Sequence, residues 1–458
     1  MRSIDVARIL EPVARRTLDR EVTIAVTGLA RAGKTVFTTA LVHNLMLAPG
    51  RGAELLPFLA PARDGRIVAA RRHEHGPRPF PFEAALEHLL ASPPNWPPST
   101  KGVSALTLEI DYRIASPLLK RAVGDGRLTL NIVDYPGEWL LDLPLLQRSY
   151  AAWSDETLAL CRAEPRAAFA GEFLAALGAI DPAKASTDDT LARLARLYRD
   201  FLKRCRDSEA GIVFLQPGRF LVSGDLDAHD PLLQFCPLPA GAAPSGSLRA
   251  EAARRYDAYR RNVVERFYRE HFRRFTRQIV LVDLLTAFAN GPQAVRETQL
   301  ALKRVFDNFH ARRGRILHRL FGARTERLLF ACSKADHITS GQYGNLRNLL
   351  RATVEPQAMQ MHESGALVGY EVVAAVKCTS NLRNAHGTPI LRGRPLGAAG
   401  EQDLDPGDIP ETMPDPAHWP DLRIGAFAPP IMPNARERGL PSVYLDKAAA
   451  FLIEDLFR

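Results

Sequence analysis

The chain has 458 residues, of which 46% are hydrophobic and 24% charged. That balance excludes a disordered, collagen-like or coiled-coil protein and supports a buried core. The net charge of +9 permits contact with anionic lipid, nucleic acid or nucleotide without choosing among them.

Residues 4–18 predict an amphipathic helix, with Ile4, Ala7, Leu10, Val13, Ala14 and Leu18 near one face. Val22–Val26 is an apolar strand, and residues 34–47 a helix. Residues 49–102 are proline-rich and predict loop, a segment of the kind that is usually functional. Val103–Arg113 alternates, and Arg127–Val133 follows the Gly124-Asp-Gly126 turn, so the two strands form a hairpin. Residues 140–208 predict helices. They are followed by a strand at Gly211–Gln216, a loop at 224–247 and a long helix at Arg249–Arg277. Strands at Ile279–Val282, Leu328–Cys332 and Gly369–Val376 then alternate with helices at Gln293–Phe309 and 340–351. Residues 383–440 are loop-rich, and a helix at Ser442–Phe457 closes the chain. This order predicts an α/β protein with a mainly parallel sheet flanked by helices. It assigns an N-terminal helix to 1–20 and a core to 21–458, with insertions at about 49–102, 140–275 and 383–440.

No apolar run approaches the roughly 18 residues of a membrane span, and Met1-Arg-Ser-Ile-Asp5 lacks a signal core. Five scattered cysteines without CxxC spacing predict neither disulfides nor a zinc site and fit a reducing cytoplasm.

Gly28-Leu29-Ala30-Arg31-Ala32-Gly33-Lys34-Thr35 satisfies G-x-x-x-x-G-K-[ST] between a strand and a helix. Such a turn aims backbone N–H groups at phosphate oxygens, and the helix N-terminus adds positive potential. Lys34 then reaches the β- and γ-phosphates, Thr35 ligates Mg²⁺, and Val36 continues the loop into the helix. Asp134-Tyr-Pro-Gly137-Glu138 ends an apolar strand. Asp134 is the second acidic element for Mg²⁺, and Gly137 offers an unobstructed N–H to the γ-phosphate. Glu138 stands where many small GTPases carry a water-orienting glutamine. A carboxylate there predicts slow turnover. Of Ser99, Thr100 and Ser104, Thr100 is chosen as the switch ligand for Mg²⁺.

Ser333-Lys334-Ala335-Asp336 follows another apolar strand and is similar to the [NT]-K-x-D guanine-recognition element. A carboxylate accepts from the N1–H and 2-amino groups of guanine, donors that adenine lacks. Cys378 and Thr379, at the next strand end, fall where a short loop contacts the base.

Together these pieces resemble one family, the YcjX-like P-loop GTPases of bacteria. The resemblance extends to Leu215-Gln-Pro-Gly-Arg219-Phe-Leu221, Gln278-Ile-Val-Leu-Val-Asp283, Phe330–His337, Gly407-Asp-Ile-Pro410 and Leu445-Asp-Lys447. It covers nearly the whole chain. It implies a cytoplasmic protein that binds GTP and GDP with Mg²⁺, hydrolyses GTP and serves stress responses. It also implies a partner at the inner membrane.

Other features read as structural. The arginines between Arg254 and Arg277 dilute among Asp257, Glu265 and Glu270, so that helix packs with a solvated face, and no nucleic acid is expected. His73-Glu-His75 and His271 lack further ligand spacing. Arg219 is a candidate for transition-state charge, with a salt bridge the favoured reading. Two alternatives to a GTPase remain open: an ATPase or P-loop kinase, and a nucleotide-gated interaction module with negligible turnover.

Overall fold

The computed structural model describes residues 20–29, 31–74, 78–116, 125–185, 187–227, 229–306 and 325–457. The expected helix at 4–18, Ala30 and His75 lie outside them. The chain forms two units: residues 1–135, 275–289 and 324–458, and residues 136–274 and 290–323.

The first unit is built on a seven-stranded sheet. Its strands are β1 (Arg20–Gly28), β2 (Ile67–His73), β3 (Ser104–Tyr112), β4 (Gly126–Asp134), β5 (Arg277–Val282), β6 (Arg327–Cys332) and β7 (Leu367–Val372). Their order is β2-β3-β4-β1-β5-β6-β7. From β4 to β7 every pairing is parallel, and β2 and β3 add antiparallel at one edge. The sheet is therefore the mainly parallel α/β sheet that the alternation of strands and helices predicts. β5, the run RQIVLV, is buried at every position, as a strand covered on both faces requires. The hairpin of β3 and β4 forms as expected.

In the first unit, two stretches read as loop hold regular structure. Residues 49–102 hold an edge strand, β2, and the helix Phe82–Leu90. Residues 383–440 contribute to a second sheet of β8 (Thr379–Arg383), β9 (Pro389–Gly393) and β10 (Gln402–Leu404), all antiparallel. The helix from Lys34 runs to Leu55, resuming after a non-helical break at Pro49 and Gly50.

The second unit is helical, with helices at Tyr150–Arg162, Ala167–Gly178, Asp188–Asp207, Leu248–Tyr259 and Pro292–Phe306. Residues 211–216 form no strand. Their carbonyls are taken by side chains instead: Phe214 O by Arg166 (2.7 Å) and Gln216 O by the Tyr198 hydroxyl. The long helix expected at 249–277 is broken by a π-turn at Arg260–Val264 and a 3-10 turn at Phe272–Arg274, and Arg277 belongs to β5.

Asp142 organises the middle of this unit. Its carboxylate accepts from Gly218 N (2.7 Å), Arg219 N (3.2 Å) and the Tyr259 hydroxyl (2.5 Å). Gly218 permits the approach, since a Cβ there would meet the Glu138 carbonyl oxygen at 1.9 Å. Burial pushes the Asp142 carboxyl up to about 6, although these donors oppose the shift. An acid raised on folding binds more protons in the folded state between its two pKa values. Its contribution to stability is therefore complete below pH ~4 and lost as pH rises through ~6, a change of about 3 kcal/mol. The stability difference, wild type minus Asp142→Asn, should shrink by about that amount between pH ~4 and ~7 in denaturant titrations. A difference independent of pH would show that Asp142 titrates normally.

Candidate functional site

The site lies in the first unit, at the carboxyl ends of the strands around β1, where open α/β sheets bind ligands. β4 and β5 flank β1, with Val26 opposite Asp134 and Gly28 opposite Leu281. The loop from Gly28 to Gly33 leaves β1 at that edge and opens the helix at Lys34. Its geometry needs glycine. Gly28 has φ +148°, and a Cβ there would lie 2.3 Å from the Leu281 carbonyl oxygen. Gly33 has φ +83°. Arg31 also adopts positive φ, and it is exposed. Leu29 and Ala32 are buried, and Val36 is half-buried.

Lys34 is buried, and its ammonium donates to the carbonyls of Gly28 (3.3 Å) and Leu29 (3.2 Å). The Thr35 and Thr100 hydroxyls lie 2.8 Å apart. Both donate to Asp134 Oδ2, Thr100 at 2.7 Å and Thr35 at 3.4 Å. The register explains how residue 100 arrives: Ser104, which opens β3, sits opposite Asp134. Asp134 is 1% exposed, and its Oδ1 is buried with no hydrogen-bond partner. Burial raises its carboxyl above the ordinary value, against the pull of Lys34 and the two hydroxyls.

Those donors fit a small hard cation. Three oxygens, one from a carboxylate with an unsatisfied atom, converge beside a lysine, which is the ligand chemistry of Mg²⁺. Thr35, Thr100 and Asp134 would hold it.

The second cluster lies at the ends of β6 and β7. Lys334 adopts a left-handed conformation and pairs with Asp283, at the end of β5. Asp283 is anchored in turn by Thr286, through N–H (3.2 Å) and hydroxyl (2.9 Å) donors. Asp336 is 2% exposed, and its Oδ2 accepts from the Cys378 N–H (2.7 Å) and thiol (2.9 Å). Among the described residues its Oδ1 accepts no hydrogen bond. The Thr379 hydroxyl donates to the Asp336 carbonyl. Burial, with Asp336 alongside, pushes the Cys378 thiol up, so it remains a donor.

The structure thus brings together Gly28, Gly33, Lys34, Thr35, Thr100 and Asp134 in one cluster, and Lys334, Asp336, Cys378 and Thr379 in another. Cys378 turns its N–H to Asp336. Gly137 and Glu138 belong to the second unit, where they open the 3-10 helix Gly137–Gln147. Arg219 also belongs there. Its guanidinium lies over the Trp139 ring, 3.2 Å from the centroid, and bonds Asp225 (3.1 Å) and Ser223 O (2.9 Å). That is the salt-bridged role favoured from sequence. Sequence reasoning gave no role to Asp283, although an acid closing an apolar strand is the same signal that found Asp134.

A glycine loop between the central strand and its helix, with an aspartate ending the neighbouring strand, defines an α/β protein of the P-loop NTPase type. The chain belongs to the YcjX-like family (DUF463), whose model matches residues 22–457. It is 35% identical over 466 residues to the "Ras-like GTPase YcjX" of Escherichia coli, covering 98% of each chain. It is 32% identical over 473 residues to the protein of the same name from Shewanella oneidensis, covering 97% of this chain and 96% of the relative.

Proposed function

We propose that this protein binds guanine nucleotides with Mg²⁺ and hydrolyses GTP to GDP and phosphate, acting as a slow switch. The observation that carries the reading is the meeting of the Thr35 and Thr100 hydroxyls on Asp134 beside Lys34. The names of the two relatives support GTP as the nucleotide. The family resemblance supports a link to stress responses. Among the described residues, no helix is long and apolar enough to cross a membrane.

In this reading the loop amides and the Lys34 ammonium hold the β- and γ-phosphates and stabilise the charge that builds as water attacks the γ-phosphorus. When bound, Mg²⁺ supplies further neutralisation of phosphate charge. Thr100 comes from the segment before β3 and donates to the same carboxylate oxygen as Thr35, so both hydroxyls stand where the cation would be held. Asp336 reads the base through guanine N1–H and the 2-amino group. Cys378 holds the carboxylate in place, and Asp283 holds Lys334.

The test is equilibrium binding of fluorescent GDP and ADP, with Mg²⁺, to wild type and Asp336→Asn. A preference for GDP of ~100-fold, or about 3 kcal/mol, is expected in wild type and lost in the variant. Equal binding of both nucleotides, with no effect of the substitution, would replace this reading with an ATPase or a P-loop protein indifferent to the base.

A further inference from the structure

Asp336, His337 and Cys378 form more than a base-reading corner. A carboxylate oxygen, an imidazole nitrogen and a thiol sulfur lie within 4.8 Å of one another, all on buried residues. Cys378 Sγ is 2.9 Å from Asp336 Oδ2 and 3.7 Å from His337 Nε2. A tetrahedral cation with bonds of about 2.0–2.3 Å spaces its ligand atoms roughly 3.3–3.8 Å apart, so small side-chain shifts suffice. His337 is 7% exposed. Its ring stands edge-on to Phe427, with centroids 5.2 Å apart. The ring nitrogen that faces the thiol is Nε2, so ligation would use Nε2 while Nδ1 carries the ring proton.

The donor set selects the ion. Sulfur with imidazole nitrogen and one carboxylate favours the zinc class, whereas Mg²⁺ and Ca²⁺ take oxygen alone. Three protein ligands leave a fourth position for water. Sequence spacing could not reveal the set, because 41 residues separate Cys378 from His337.

We propose that Asp336, His337 and Cys378 bind a thiophilic divalent cation of the zinc class, and that this cation competes with the guanine base for Asp336. The competition rests on the assignment of Asp336 as the guanine acceptor, whereas the cation site stands without it. On binding, Sγ exchanges its proton for the metal and the proton passes to solvent. The carboxylate then faces the metal instead of the base edge.

Titration of the nucleotide-free full chain with Co²⁺, followed by displacement with Zn²⁺, tests the site. A thiolate-to-cobalt absorption band saturating at one cation per chain is expected. Cys378→Ser should abolish the band, and His337→Gln, which keeps the thiol–carboxylate contact, should weaken binding by ~100-fold. Cys236→Ser, in the second unit, should leave it intact, and near-ultraviolet dichroism shows whether each variant is folded. Absence of the band in wild type, or its survival in Cys378→Ser, overturns the site. GDP is expected to raise the Zn²⁺ concentration needed for half-saturation. Zn²⁺ binding that is indifferent to saturating GDP, in a protein that prefers GDP to ADP, overturns the competition. Loss of that preference alone leaves the cation site standing.

Discussion

Lys34→Ala is expected to lower single-turnover GTP hydrolysis by about a thousandfold, and to weaken GDP binding as well. The ammonium is the one formal positive charge that the strand–loop–helix turn directs inward. It lies on the Gly28 and Leu29 carbonyls, within the loop it serves. Backbone amides and a helix end can hold a ground-state phosphate, but charge that grows during the reaction needs a full cation close by. The same substitution removes the strongest influence opposing the burial of Asp134 and so leaves that carboxylate more easily protonated. The fold should survive, because the loop's conformation is set by Gly28 and Gly33. Thermal melts of the variant provide that control. A loss of less than ~10-fold would remove Lys34 from the phosphate site.

The largest effect on stability is expected at Arg166 and Glu297 in the second unit. Their side chains are each 5% exposed and joined by two hydrogen bonds, of 2.8 and 2.7 Å. Arg166 also donates to the Phe214 carbonyl, so one guanidinium fastens three distant pieces of chain. Removing either partner strands a charge in a nearly dry interior. Arg166→Met and Glu297→Leu should therefore each cost about 3–5 kcal/mol of unfolding free energy. The double variant Arg166→Met, Glu297→Leu should cost far less than the sum, since it strands nothing. Denaturant unfolding of the four proteins measures the cycle. Additive losses would show that the pair is not coupled.

Much of the candidate site was legible because its signals are local. A strand, a glycine loop and a helix adjoin in sequence, and Asp134 ends its own apolar strand. Thr100 was found by its place ahead of β3, whose first residue pairs beside Asp134. The illegible parts depend on partners far along the chain. β2, reading IVAARRH, is an edge strand with no clear alternation, and it forms because β3 offers a free edge. Residues 211–216 carry a strand's composition but give carbonyls to Arg166 and Tyr198 rather than to a ladder. The tie between Lys334 and Asp283 joins the ends of two strands about fifty residues apart. The hold of Cys378 on Asp336 spans a helix and a strand, and no window of sequence contains both.

The helical unit is assembled from two separate lengths of polypeptide, 136–274 and 290–323, and Arg166 and Glu297 lie on different ones. Cutting the gene at the ends of the longer piece would therefore yield a product lacking the acid that neutralises its own buried arginine. Such a fragment should collect in inclusion bodies. Recombination that transplants this unit succeeds only if both lengths travel together.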